Sequence, residues 1–215
     1  MKPADDPTRD YRILVRVGYD ACAPAFNAER REASADALMP LLARLPAGAR
    51  VLDLGCGAGM PVASTLAARY RVVGVDLSSG QLALARQQVP GADFVLGDIG
   101  SCAFAPASFD AIVSFYAIFH LPRSEHQPLF ARMYEWLKPG GYLLASLAMT
   151  DEGNYTEEDF FGVEMYWSNF DMPRYRTMLA DAGFDLLAEA TLTHGYADSG
   201  APAETHPVVF AQRRL

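Results

Sequence analysis

Between residues 51 and 59 the chain reads Val51-Leu52-Asp53-Leu54-Gly55-Cys56-Gly57-Ala58-Gly59. A short strand carrying an acid runs directly into three glycines at alternate positions, and a helical pattern follows. Glycine tolerates positive φ and lets a ligand lie against the main chain where a Cβ would clash. A strand, a glycine loop and a helix in that order belong to α/β folds, whose ligands bind at the carboxyl ends of the strands.

The hundred residues that follow repeat the theme. Val72 to Asp76 is a second strand, Phe94 to Leu96 a third, Phe109 to Phe115 a fourth, and Tyr142 to Ala148 a fifth. Ser78 and Gln81 have capping-box spacing for a helix running to about Gln88, and Ser124 with Gln127 repeats it for a helix through Leu137. Lys138-Pro139-Gly140-Gly141 reads as a turn. These strands are mostly continuous apolar runs, as in a parallel sheet buried on both faces. Upstream, Tyr19 to Leu45 is helical in pattern, with Pro40 set to start, kink or split the helix. Downstream, Asp151 to Asn169 is polar and aromatic with weak periodicity. Asp171 to Ala182 reads as a helix stopped by Gly183, and Phe184 to Leu192 with Val208 to Ala211 read as an edge hairpin. At 215 residues the chain fits one domain, residues 1–215. Within it we expect an N-terminal helical cap (1–45), a binding core (46–148), an acceptor-side lid (149–182) and C-terminal edge strands (183–215).

The glycine spacing is G-x-G-x-G, with Met60 where a dinucleotide site needs its third glycine. Asp53 is a poor neighbour for pyrophosphate. The loop therefore suits a ligand with an amine and no phosphate. Asp76 ends the second strand, where a carboxylate can accept both hydroxyls of a ribose. Asp98, ending the third, can accept from an exocyclic amine, and the Ile99 amide can serve a ring nitrogen. Three acids on three successive strand tips outline a nucleoside-sized crevice.

These residues resemble the class I S-adenosylmethionine-dependent methyltransferases, over roughly Arg50 to Leu147 and including the Ser108–Val113 segment and the Leu137–Gly141 turn. The resemblance implies a doubly wound, mostly parallel seven-stranded sheet with its last strand antiparallel. It implies S-adenosylmethionine as cofactor and S-adenosylhomocysteine as product. Asp53, Gly55 and Gly57 would hold the methionine end, Asp76 the ribose, and Asp98 with Ile99 the adenine, on which Leu77 would pack. Ser114 or Phe115 would line the floor near the sulfonium, and Tyr19 is similar to an N-terminal tyrosine that closes over the cofactor.

A sulfonium methyl is already activated, so transfer needs mostly position and exclusion of water, with a base only where the acceptor must lose a proton. His120 is the candidate base and Tyr116 a second catalytic candidate. Phe160, Phe161, Tyr166, Trp167 and Phe170 form an aromatic stretch read as a wall over the acceptor, or as ordinary core. His126 is placed on a solvated helix face, while His194 and His206 can face the pocket or water. The four histidines lack ligand spacing, so no metal is expected. Ser114-Phe115-Tyr116 lacks the Asn/Asp-Pro-Pro-aromatic sequence of amino-methylating nucleic-acid enzymes, and no Pro-Cys pair follows the fourth strand. Catechol-type metal-dependent relatives need an aspartate near Ser114. The net charge of −8 argues against nucleic acid and anionic membrane. No signal-like apolar segment or spanning stretch is read, and Cys22, Cys56 and Cys102 form no C-x-x-C pair. The expectation is a cytoplasmic, metal-independent enzyme methylating an N, O or S atom of a small-molecule metabolite. The alternative is a cofactor-binding, non-methylating sensor or a partner-dependent subunit. Oligomeric state stays open.

Overall fold

A computed structural model describes residues 2–3, 10–29, 34–194 and 204–215. In chain order the elements are β1 (Lys2–Pro3), α1 (Tyr11–Glu29), α2 (Ser34–Ala37), α3 (Met39–Leu42), β2 (Arg50–Leu54), α4 (Val62–Ala67), β3 (Arg71–Asp76), α5 (Ser79–Gln88) and β4 (Asp93–Leu96). They continue with β5 (Phe109–Ser114), a 3₁₀ turn (Ile118–His120), α6 (Arg123–Trp136), β6 (Leu137–Ser146), β7 (Tyr155–Phe160), β8 (Val163–Trp167), α7 (Met172–Ala182), β9 (Phe184–His194) and β10 (Glu204–Arg213).

Seven strands form the main sheet in the order β4-β3-β2-β5-β6-β10-β9. β2 pairs in parallel with both β3 and β5, and β10 runs antiparallel to β6 and β9. The expected sheet, with its last strand antiparallel, is present. Its central strands are buried on both faces: Leu52, Leu54, Ile112 and Leu143 pack in one cluster, and Val51, Ala111, Val113 and Leu144 in the other. Chain order reverses direction at β2, with β3 on one side and β5 on the other, which opens a crevice at the carboxyl ends of these strands.

Local chemistry sets the element ends. Asp171 caps α7, its carboxylate accepting from the Arg174 amide at 3.1 Å, and Gly183 stops the helix at φ +101°. Pro40 splits the helical pattern, standing in the first turn of α3. The turn at 138–141 appears as a register shift between the β5–β6 pairs Phe109↔Leu137 and Ala111↔Tyr142, with Gly140 at φ +76°.

Three local expectations need correction. α1 begins at Tyr11, not Tyr19. Its inward residues Val15, Cys22 and Phe26 pack against Phe160, Met165 and Tyr166, so its first two turns are held by tertiary contact. At Gly18 a Cβ would come within 2.9 Å of Met165 Cε, which shows how closely α1 lies on β8. The Ser124/Gln127 capping box is not used: α6 starts at Arg123, after Pro122, and Gln127 Nε2 instead donates to the Met178 carbonyl at 3.2 Å. Residues 155–167 form a hairpin, β7–β8, joined by β1 into a second small sheet. The exposed run Glu157-Glu158-Asp159 breaks the period-two signal, and Phe161 and Gly162, both at positive φ, make its turn.

Candidate functional site

The crevice at the tips of β2, β3, β4 and β5 is a cleft of about 680 Å³, its open mouth included, roofed by α1. Gly55, Gly57, Asp76, Leu77, Asp98 and Ile99 line it from the tips of β2, β3 and β4, and Phe115, Tyr116, Ala117, His120 and Leu121 from the segment that follows β5. Arg12, Val15, Tyr19 and Phe26 reach in from α1.

Asp76 is the best-defined acid. Its Oδ2 accepts from the Gly57 amide at 2.8 Å and its Oδ1 from the Ser78 amide at 2.9 Å. Burial pushes this carboxyl above its usual range, the amides of Ser78, Gly57 and Leu77 pull it back, and the Asp20 charge adds to the rise. Hydroxyls placed against its remaining lone pairs would favour the ionised form. Gly55 and Gly57 both have positive φ, at +74° and +53°. A Cβ on Gly55 would overlap that of Ala117, whereas one on Gly57 meets nothing nearer than Gln81 Oε1 at 3.8 Å. The first glycine is required by packing. The second leaves a cradle that a side chain would begin to fill.

Gln81 was read only as a capping residue, and the structure shows more. Its backbone amide does donate to Ser78 Oγ at 3.0 Å. Its side chain turns the other way: Oε1 accepts from Asn27 Nδ2 at 2.9 Å, while the buried Nε2 has no hydrogen-bond partner. Gln81 is only 1% exposed and lines the cleft, so its Nε2 is a desolvated donor in the cleft wall. Helical spacing after Asp76 was the signal that could have found it, since the first turn beyond a ligand-bearing strand tip faces the same crevice.

Arg12 was also missed. Its Nε donates to Asp98 Oδ2 at 2.9 Å and an η nitrogen pairs with Glu125. Burial alone would lower this guanidinium, but its bonds to Glu125 and Asp98 raise it. Asp98 also accepts from the Gly100 amide at 2.8 Å, so the acid expected to meet adenine is shared between its own loop and α1. Asp20 anchors α1 a second time. Its Oδ1 accepts from the Gly80 amide at 2.9 Å and from Ser78 Oγ at 2.7 Å at the start of α5. Burial raises that carboxyl, and the bonds from Gly80, Ser78 and Ser79 with the Arg16 charge outweigh it, leaving it below its usual range.

Tyr19 Oη lies 2.9 Å from His120 Nε2, and His120 Nδ1 lies 2.8 Å from the Tyr166 carbonyl oxygen. A carbonyl only accepts, so Nδ1 carries the proton and Nε2 is the acceptor of the Tyr19 hydroxyl. Burial lowers His120 to about 4, the Tyr166 carbonyl opposing, so the ring is neutral near pH 7. Tyr116 lies beside it at φ +58°, its amide donating to Ser146 Oγ at 2.7 Å. Sparsely populated backbone of this kind is found at ligand sites.

The remaining expected residues fall behind the cleft wall. Asp53 is 2% exposed and buried in β2. Ser114 is buried and its Oγ donates to the Leu54 carbonyl at 3.0 Å, tying β5 to β2. Tyr166 is fully buried, stacked on Tyr11 at 4.1 Å, with its hydroxyl donating to Asn154 Oδ1. Trp167 packs on His120 at 4.4 Å and supports it from outside. Phe161 meets Phe26 edge-on at 5.5 Å. Phe170 is not brought to the cleft, lying against His126 and Tyr175 at 5.7 and 6.1 Å. His126, expected on a solvated face, is buried instead. Its Nε2 donates to the Leu121 carbonyl at 3.0 Å and its Nδ1 faces Tyr175 Oη at 3.2 Å. His206 stacks on Phe119 at 5.5 Å, and the His194 side chain lies outside the described residues. Cys56 is held as a thiol by burial, with Asp53 and Asp76 pushing it further up. Among the described residues no three His, Cys, Asp or Glu side chains converge as a metal site, and no helix is long and apolar enough to cross a membrane.

Residues 51–141 match the family model described as a methyltransferase domain. The chain is 37% identical over 160 residues to a trans-aconitate 2-methyltransferase of Variovorax paradoxus, covering 70% of this chain and 61% of that protein. It is 34% identical over 154 residues to phosphoethanolamine N-methyltransferase 1 of Triticum aestivum, covering 67% of this chain and 30% of that one. The chain thus spans about three fifths or less of the length of these relatives. In fold it is similar to the Burkholderia thailandensis 1,6-didemethyltoxoflavin-N1-methyltransferase crystallised with S-adenosylhomocysteine, with a TM-score of 0.72, 22% identity, and coverage of 99% of this chain and 94% of that one. With their glycine loop, their strand-tip acids and these matches, residues 51–141 are a methyltransferase domain of the class I S-adenosylmethionine-dependent type.

Proposed function

We propose that this chain transfers a methyl group from S-adenosylmethionine to an N, O or S atom of a small-molecule acceptor without using a metal. The observation that carries the reading is the convergence, on one cleft, of the amide-anchored Asp76, the unpartnered Gln81 Nε2 and the Gly57 cradle with the Tyr19–His120 pair. The donor set fits the cofactor. Asp76 suits vicinal hydroxyls, Asp98 and the Ile99 amide suit an adenine edge, and Gly55 with Gly57 lets an amino-acid end approach the main chain, with Asp53 beneath.

When bound, S-adenosylmethionine supplies a methyl carbon on a sulfonium, and the carbon–sulfur pair stays with sulfur on transfer. The chain's own task is to position the acceptor, exclude water and move one proton. Phe115 and Ala117 line the cleft, and α1 closes the roof. Tyr19 donates to His120 Nε2, so its oxygen can accept the acceptor's proton as its own moves to the imidazole. The imidazole then holds that proton, its Nδ1–H still donating to the Tyr166 carbonyl. With His120 at about 4, this shift is favourable only while the acceptor is acidified by bond formation. Tyr116 borders the same cleft and orients the acceptor.

A narrow, roofed cleft on a chain of net charge −8 supports a small molecule over nucleic acid. Cys22, Cys56 and Cys102 are all free and raised by burial, which supports a reducing, cytoplasmic setting. The test is radiolabel transfer from methyl-labelled cofactor to a metabolite panel. Transfer lost in His120→Gln and Tyr19→Phe, with cofactor binding retained, is the expected result. Cofactor binding without turnover on any acceptor contradicts it.

A further inference from the structure

We propose that Arg132 on α6 is a positioning residue for the adenine edge. It holds the turn at 98–101 so that the Asp98 carboxylate and the Ile99 amide face, together, a base that carries an exocyclic amine beside a ring-nitrogen acceptor. This deepens the proposed function and rests on it, because it takes Asp98 and Ile99 as the adenine contacts.

A trans peptide points its C=O and its N–H in opposite directions, so fixing one aims the other. One Arg132 η nitrogen donates to two successive carbonyls, those of Ile99 at 3.3 Å and Gly100 at 2.7 Å. The N–H of each of these peptides is taken by Asp98. Its Oδ1 accepts from the Gly100 amide at 2.8 Å, and its main-chain carbonyl accepts from the Ser101 amide at 3.1 Å. Two consecutive peptides are thus gripped on opposite edges, by Arg132 and by Asp98. The peptide before them is fixed as well. The Asp98 carbonyl also accepts from the Cys102 amide at 2.8 Å, which turns the Ile99 N–H the other way. Asp98 and Ile99 both line the cleft.

Helix α6 is shaped to reach this turn. Glu125 and Arg132 lie on α6 and share one of its faces, two helical turns apart. A Cβ on Gly100 would overlap Glu125 Oε2, so the turn lies directly against that face. Trp136, buried one turn beyond, brings its ring within 5.9 Å of the Arg132 guanidinium carbon. An ionised guanidinium bonds carbonyls more strongly than a neutral donor, and its planar fork loses little freedom in doing so. Without it the Ile99–Gly100 peptide can rotate. The Asp98 carboxylate then loses the Gly100 bond that sets its rotation, and acceptor and donor no longer face one base edge.

The experiment is titration calorimetry of the full chain with S-adenosylhomocysteine and, by displacement, with S-inosylhomocysteine. In the second ligand the exocyclic amine is a carbonyl oxygen and the neighbouring ring nitrogen carries a proton, so donor and acceptor are exchanged. Wild-type protein should prefer the adenosyl ligand about thirtyfold. In Arg132→Met, adenosyl affinity should fall about tenfold and inosyl affinity stay within about twofold, so that the preference shrinks to about threefold. Arg132→Lys keeps the charge without the fork and should fall between, at about tenfold. A merely structural role would weaken both ligands alike, and that outcome overturns the inference. So does an unchanged preference in either variant, or a wild-type protein that binds both ligands equally. If Arg132→Met does not melt cooperatively, the preference in Arg132→Lys decides by the same criterion. Failure of S-adenosylhomocysteine to bind wild-type protein is a separate outcome, and overturns the proposed function together with the inference built on it.

Discussion

Arg12 Nε donates to Asp98 Oδ2 at 2.9 Å, so the roof helix holds the strand-tip acid proposed to meet the adenine edge. The carboxylate keeps free lone pairs beside Arg12 and the Gly100 amide, so ligand and roof can share it. The pair makes closure of α1 part of the binding site.

Arg12→Ala should therefore loosen the roof more than it empties the site. The Arg12 side chain is 36% exposed, so solvent screens the pair and its loss is worth only about 1 kcal/mol. We expect S-adenosylhomocysteine to dissociate about fivefold faster in stopped flow, with little change in association. An unchanged off-rate contradicts a roof held by this pair.

Gln81→Met removes the buried donor with little change in volume. Asn27 Nδ2 keeps its bond to the Ala23 carbonyl at 2.6 Å within α1, so that donor is not orphaned, and Asp20 still holds α1 to α5. Affinity for S-adenosylhomocysteine should fall about tenfold, equal to about 1.4 kcal/mol, with the melting temperature unchanged. Undiminished affinity would show that Nε2 does not meet the ligand.

Tyr19→Phe and His120→Gln break one relay at two points. Each should lower kcat about a hundredfold and leave cofactor affinity within about threefold. Because the two act as a unit, the double variant should be no slower than the worse single one. Additive losses would mean separate roles.

His120 and His126 set an acid limb of stability. Burial lowers both to about 4 from 6.5, so the fold favours the neutral rings. The stability they contribute is complete above the unfolded value of about 6.5 and is lost as pH falls through about 4. Each can supply on the order of 3 kcal/mol across that window. Urea titrations from pH 7.5 to 4 should show the loss, and His126→Gln should flatten it while leaving turnover at pH 7.5 unchanged. A limb equally steep in that variant would place the titration elsewhere.

Much of the sheet was legible because strands buried on both faces write themselves as unbroken apolar runs, and Asp171 and Gly183 punctuate α7 as isolated peptides would. The meeting of Gly55, Gly57 and Asp76 at one cleft was legible because backbone conformation there admits few alternatives. What escaped depends on contacts distant in sequence. Arg12 finds Asp98 across 86 residues and Asn27 finds Gln81 across 54, and no local pattern carries either. His126 reads as surface because its neighbours Glu125 and Gln127 are polar, yet it seals α6 to Tyr175 on α7. The β7–β8 hairpin stayed hidden because three acids interrupt its alternation and α1, not the sheet, supplies its packing partner.

The central claim is that the Asp76 cleft holds S-adenosylmethionine. Titration calorimetry of folded protein with S-adenosylhomocysteine tests it most directly. The account predicts one-to-one exothermic binding, weakened at least about a hundredfold in Asp76→Ala. No heat from wild-type protein that still melts cooperatively, or unaltered affinity in a folded Asp76→Ala variant, would contradict it.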